Sequence, residues 1–303
     1  MEQVEHLKLS GQLPSPRGIA LAILELSRRE NATLAEIARI VQTDPALSGR
    51  LIKLANSASQ IARPVVSVQE AVVRQGMNTV RQLALGFSLL DQYRGGACEA
   101  FDYQEYWSHS LLMALCMQAL GERVHIAPAD ELFVCGLLAQ VGKLALATVY
   151  PDEYSAVLAA HQADTAHTLV NHERTLLETD HIELGIVMMS DWGMPKVFTG
   201  PLSYFEDPDH TNYQHDSRTN RLMLMLHLSY RLANLGMADA DVRPKLAKEW
   251  IALAARLDLQ QDAAGGFIDS VIANWQEWGK LLKIPATALP SFTEILHTDS
   301  ADG

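Results

Sequence analysis

The chain has 303 residues, 48% of them apolar and 20% charged, and a formal net charge of −12. That much apolar side chain excludes wholesale disorder, and the acidic balance repels nucleic acid and anionic membranes. Three cysteines (Cys98, Cys116, Cys135) with no C-x-x-C pair exclude a disulfide framework and a standard structural zinc site. The length suggests two domains or one two-lobed unit. No stretch is expected to provide the roughly 20 apolar residues that span a bilayer. Met1 to His6 are polar and lead into no secretory apolar core. A reducing cytoplasm is the expected home. Residues 1–90 hold 10 Lys+Arg against 7 Asp+Glu, whereas residues 91–303 hold 14 against 29.

Helical periodicity dominates. Ile19, Ile23 and Leu26 mark one helical face. Thr33 and Glu36 form a capping box ahead of the stripe Leu34, Ile37, Ala38 and Val41. Asp44-Pro45 then opens a helix carrying Leu47, Leu51, Leu54 and Ala58, since Asp caps free amides and Pro suits the first helical position. Ser67 and Glu70 suggest a second box, with a stop near Gly76, and Val80, Leu83, Phe87 and Leu90 mark another helix. Residues 14–90 therefore read as about five short helices that need mutual packing to persist.

Residues 91–102 read as a hinge or linker around Gly95-Gly96. Helices are expected over 103–120, 129–149, 152–161, 165–178 and 181–192, the last capped by Asp180 and Glu183. Residues 206–214 read as a loop, followed by helices over 217–235, 243–258 and 263–283 and an uncommitted tail after Pro285. No period-two strand pattern is visible.

Certain segments then carry a resemblance. They are Leu13-Pro14, Asp44-Pro45-Ala-Leu-Ser-Gly-Arg50-Leu-Ile-Lys-Leu54-Ala-Asn-Ser57, Ser67-Val-Gln-Glu-Ala71 and Gly76. Later come Trp107-Ser-His109-Ser, Cys135-Gly-Leu-Leu-Ala-Gln140-Val-Gly-Lys143-Leu, Asp180-His-Ile-Glu-Leu-Gly185 and Trp192-Gly-Met-Pro195. In order and spacing these segments resemble the bacterial HDOD family, the HD-related output domains. The resemblance implies an all-α fold, with an N-terminal bundle of about five short helices packed on a degenerate HD-domain-like helical lobe and extra C-terminal helices. The boundaries it implies are an N-terminal lobe at 12–90, an HD-like lobe at 103–236, C-terminal helices at 237–285 and a tail at 286–303. It also implies a signalling role in which the domain binds partners and turns over no substrate.

HD hydrolases activate water on divalent metal held by imidazole and carboxylate. The resemblance places a first His at His109, but Ala139-Gln140 stands where the His-Asp doublet belongs. Tyr230 takes the position of the distant Asp, and Ser203-Tyr-Phe-Glu206 lacks the paired histidines of relatives. His181 matches an accessory His. Too few ligands remain for a catalytic metal pair, so no catalytic residue, metal or cofactor is expected. Taken alone, His109 reads as a hydrogen-bonded core residue, His181 as a helix-terminus residue and Lys143 as an ion-pairing partner of a helix carboxylate. Together His109, Gln140, Lys143, His181 and Tyr230 are candidates to line a remnant cleft that could take a small anion.

Other candidates are weaker. His215-Asp216 lacks the Gly-Leu-Leu lead-in, and no phosphate loop or nucleophile elbow occurs. His161, His167 and His172 stand six and five residues apart, which does not stack them on one helical face. The methionines at 188, 189, 223 and 225 read as core filler. The helix pair at 33–58 resembles a helix-turn-helix with Arg50 and Lys53 on its second member. Apolar Ala46 and Leu47 stand where base-reading side chains would be, so a protein-docking surface with Arg50, Lys53 and Asn56 is preferred. The expected partners are signalling proteins. The alternatives are a metal-dependent cyclic-dinucleotide or nucleotide phosphodiesterase with an altered metal set, and a DNA-binding regulator using 33–58.

Overall fold

The computed structural model describes residue 7 and residues 11–29, 31–56, 63–164 and 166–297. All regular structure among the described residues is helical. Among the described residues the N-terminal bundle contains α1 (Gly18–Ser27), α2 (Leu34–Gln42), α3 (Pro45–Ala55) and α4 (Val68–Gln92). The caps are made as the sequence suggests. Thr33 and Glu36 close a reciprocal box. The Asp44 carboxylate accepts from the amides of Ala46 (2.9 Å) and Leu47 (3.0 Å). Ser67 caps α4, but Glu70 turns to Arg63 (3.0 Å), so the second box is only half made. The expected run of α3 to Ala58 lies outside the described residues.

Helix α4 contains the expected break at Gly76. There φ is +75° and ψ is 164°, a conformation that a Cβ would make costly. Helices α1, α2 and α3 all pack on α4, whose second half leans on the next layer.

That layer is built on α5 (Tyr103–Val124), which packs against α6 (Ala129–Leu138), α12 (Arg218–Met237) and α14 (Gln261–Leu282). Three pairings matter for the site: α7 (Val141–Val149) with α10 (His181–Asp191), α8 (Pro151–Ala163) with α9 (Leu169–Leu177), and the short α11 (Lys196–Thr199) with the 3-10 turn Pro201–Ser203. Helix α13 (Arg243–Ala254) and α15 (Phe292–His297) complete the C-terminal layer. The tail after Pro285 thus contains a short helix, begun by a Ser291–Glu294 box, where periodicity alone marks no element.

Three expectations need correction. The run 129–149 is not one helix, because Gln140 (φ −107°, ψ 19°) separates α6 from α7. By length and composition this run could cross a bilayer, contrary to the sequence expectation. Here 83% of its apolar window is buried, which makes it core. The 91–102 segment is no free hinge. Arg94 donates to the Leu282 carbonyl (2.8 Å), the Trp107 indole donates to the Tyr93 carbonyl (2.8 Å), and Cys98 is buried.

Among the described residues one large apolar core runs from Leu7 to Ile295, with a small separate cluster of Ala55, Val65 and Ala71 beside it. Trp278 of α14 is wedged at its centre, stacked on Phe87 of α4 (6.2 Å) and tilted on Phe133 of α6 (5.8 Å). The C-terminal helix therefore holds the N-terminal bundle against the second lobe by apolar burial, the largest stabilising term in such a fold.

Candidate functional site

The second lobe gathers polar side chains from five elements (α7, α8, α9, α10 and the loop at 206) into one largely buried cluster. Its pivot is Glu206, in the loop after the 3-10 turn Pro201–Ser203. The Glu206 Oε1 accepts from His181 Nε2 at 3.1 Å and from the Gln140 amide at 3.3 Å, and lies 3.6 Å from Lys143 Nζ. On the other side of His181, Nδ1 donates to Glu173 Oε2 of α9 at 2.6 Å, and the His181 backbone amide reaches the same oxygen at 3.0 Å. The remaining Glu173 oxygen accepts from the Tyr154 hydroxyl of α8 at 3.0 Å. Glu173 is fully buried and His181 is 1% exposed.

The local chain explains this placement. His181 is the first residue of α10, whose cap Asp180 binds the Glu183 amide and is held by Arg174. Gly142 lets α7 pass directly over that helix start. A Cβ there would fall 1.8 Å from the His181 carbonyl oxygen, so only glycine allows Gln140 and Lys143 to reach Glu206.

The charges set one another. Burial alone would lower the His181 pKa, but the carboxylates of Glu173 and Glu206 hold it up at about 9. Burial would raise Glu206, yet Lys143 and His181 keep its carboxyl far below the usual carboxylate range. Burial likewise opposes the charge on Lys143, and Glu206 more than compensates, so Lys143 is raised. At neutral pH two cations therefore face two carboxylates, and the cluster neutralises itself.

His109 and Tyr230 form the adjoining wall. His109 Nε2 meets the Asn234 side-chain oxygen at 2.8 Å, and its ring packs edge-on against Tyr230 (5.5 Å). Its Nδ1 is buried with no partner among the described residues. Burial pushes its pKa down to about 4, so it is a neutral imidazole. Lys143 Nζ lies 5.9 Å from the centre of the Tyr230 ring.

Gln140, Lys143 and His181 thus converge on Glu206, with His109 and Tyr230 alongside. Sequence reasoning named these five but missed Glu173, Glu206 as an ion-pair centre, Tyr154 and Asn234. The one available signal for Glu206 was its position where relatives place histidines.

Arg50, Lys53 and Asn56 are placed elsewhere and face inward more than a docking surface requires. Arg50 is 7% exposed, makes a two-pronged bond to Asp91 (2.7 and 3.0 Å) and lies over Phe87. Asn56 bonds both the amide and the carbonyl of Val65. Lys53 sits over the Trp278 ring (5.1 Å) and near Glu277. These residues tie the bundle together. On the same helix pair, Leu47 is buried and the Ser48 hydroxyl returns to the Val41 carbonyl (3.0 Å).

The donor set does not fit the metal pair of HD hydrolases. Ala139 offers no donor, Gln140 and Tyr230 stand where the resemblance implies carboxylates, and both nitrogens of His181 carry protons aimed at carboxylates. A resident ammonium, Lys143, adds charge repulsion against a divalent ion. Among the described residues no three His, Cys, Asp or Glu side chains are gathered as they stand to hold a metal.

Comparison with known proteins places this geometry. The chain is similar to the MmoQ response regulator of Methylococcus capsulatus str. Bath, at 39% identity over 85% of this chain and 98% of that one, with a TM-score of 0.52. The fold also matches an HDOD domain protein of Geobacter sulfurreducens (20% identity, 92% and 97% coverage, TM-score 0.65). A candidate phosphohydrolase of Shewanella amazonensis SB2B matches it too (23%, 93% and 97%, TM-score 0.66). Comparison with curated proteins gives no match. The HDOD domain profile matches residues 13–208, nearly two thirds of the chain, and the chain belongs to the HDOD family.

Proposed function

We propose that this HDOD protein is a non-catalytic signalling component that acts by binding a protein partner. The observation that carries the reading is the self-neutralised cluster of Lys143, Glu206, His181 and Glu173. An HD hydrolase needs open carboxylates and neutral imidazoles at this place to hold ions and activate water. Here the carboxylates are already satisfied by protein cations. The likeness to a response regulator points the same way.

A small anion in the cleft is a weaker version of the same reading, because Lys143 and His181 already have their counter-charges. DNA binding through residues 33–58 loses support from the burial of Leu47 and Arg50, which removes two side chains from the face that would meet a groove. The test is turnover of bis-p-nitrophenyl phosphate and cyclic dinucleotides with Mn²⁺, Mg²⁺ or Fe²⁺. No turnover above the metal-only blank is expected. Metal-dependent hydrolysis that disappears in His109→Ala overturns the proposal.

A further inference from the structure

A cavity of about 260 Å³ opens among α1, α3 and α4 and shares no residue with the Glu206 cluster. At the volume each water takes in the liquid, it has room for roughly eight or nine non-hydrogen atoms. That suits a small metabolite and is too little for a nucleotide.

The wall carries two guanidiniums, Arg17 and Arg50, and two carboxylates, Asp44 and Asp91, so it is neutral as a whole and charged in its parts. One of these pairs is closed. Arg50, only 7% exposed, is clamped on Asp91 and lies 5.0 Å over the centre of the Phe87 ring. The other two charges are open. The Arg17 guanidinium has no hydrogen bond or ion pair among the described residues. Asp44 uses Oδ1 for the Ala46 and Leu47 amides, and its Oδ2 accepts from no group among the described residues. Gln92 Nε2 is taken by the Ser88 hydroxyl (2.6 Å), while its buried Oε1 has no partner. Beside these polar groups Leu47, Ala84 and Phe87 offer carbon.

A simple anion in this cavity would meet two carboxylates, and a simple cation would meet two guanidiniums. A molecule that carries one charge of each sign on an apolar body meets neither penalty. We infer that the cavity among α1, α3 and α4 binds a free α-amino acid with an apolar side chain, its carboxylate on Arg17, its ammonium on Asp44 and its side chain on Leu47, Ala84 and Phe87. Arg–carboxylate pairing gives the orientation, and the uncapped first amides of α1, next to Arg17, add donors for the same carboxylate. The place is also a joint of the fold. Asp91 accepts from Arg94 as well (2.9 Å), and Arg94 donates to the Leu282 and Lys283 carbonyls at the end of α14.

The test is calorimetric titration of the full chain with L-leucine, L-methionine and L-phenylalanine, with melting temperature as a second readout. At least one of the three should bind saturably, at about one per chain, and raise the melting temperature. For a leucine-type ligand, 4-methylpentanoate, which lacks the ammonium, and 3-methylbutylamine, which lacks the carboxylate, should each bind about tenfold more weakly or worse. Arg17→Gln, at an exposed position, and Asp44→Asn, which keeps a good capping side chain, should each weaken binding about tenfold or more. Arg63→Gln, outside the cavity, should leave binding as it is. Three results each overturn the inference: no saturable binding of any of the three amino acids up to about 10 mM, a bare carboxylate or amine that binds as well as its amino acid, or binding undiminished in both Arg17→Gln and Asp44→Asn.

Discussion

The buried cluster makes stability depend on pH in a direction that surface charges would not give. His181 has a folded pKa of about 9 against an ordinary value of 6.5. Between those values the folded protein keeps a proton that the unfolded chain has released. A raised folded pKa contributes stability that is fully present below the unfolded value and lost as pH rises toward the folded one. The loss is about 1.4 kcal/mol per pH unit and about 3 kcal/mol in all. His181 is 1% exposed, so little of this is screened.

His109 acts on the other side. Burial takes it down to about 4, so the unfolded chain binds a proton that the folded state refuses, and stability falls as pH drops below 6.5. Burial also lowers the pKa of His227, which adds to the same limb. Stability should therefore peak near pH 6.5. The assay is urea unfolding from about pH 5 to 8.5. This stays below the range where Cys116 and Cys135, both pushed up to about 12 by burial, add their own alkaline loss. His181→Gln should flatten the alkaline limb, and Glu206→Gln, which removes one of its two counter-charges, should make it shallower. A parent stability that stays level or rises from pH 6.5 to 8.5, or an unchanged alkaline slope in His181→Gln, refutes the charge assignment.

Gly142→Ala should cost more than about 3 kcal/mol, because the new methyl meets backbone at 1.8 Å and no side chain can move aside. Soluble yield and melting temperature check it, and an unaltered melting temperature would contradict the close approach of α7 and α10. Trp278→Ala should cost about 3–5 kcal/mol and loosen the N-terminal bundle first, read as faster amide exchange in α3 and α4 than in α5. Asp91→Asn leaves Arg50 buried with a weakened partner and should cost about 1–3 kcal/mol in urea unfolding.

The sequence made the helices legible because their signals are local. Thr33, Asp44, Ser67 and Asp180 announce helix starts within three residues, and the structure uses each of them as a cap. The break between α6 and α7 was hidden because Ala139-Gln140 is neither glycine nor proline; tertiary demand on Gln140 and Lys143 breaks the helix there, against its own apolar run. Charge partners across the fold leave no such local mark. Glu173 and His181 are eight residues apart and Glu206 is 25 beyond His181, so no window along the chain contains the network. The histidines at 161, 167 and 172 show the same limit from the other direction. Helical spacing keeps them apart only if they belong to one helix, and His161 of α8 and His172 of α9 instead meet as ring neighbours 5.6 Å apart. What periodicity reads is the face of an element, whereas a site is made where elements meet. In this protein the meeting place around Glu206 is closed by its own counter-charges, which is why neither the face of one helix nor the spacing along it announces it.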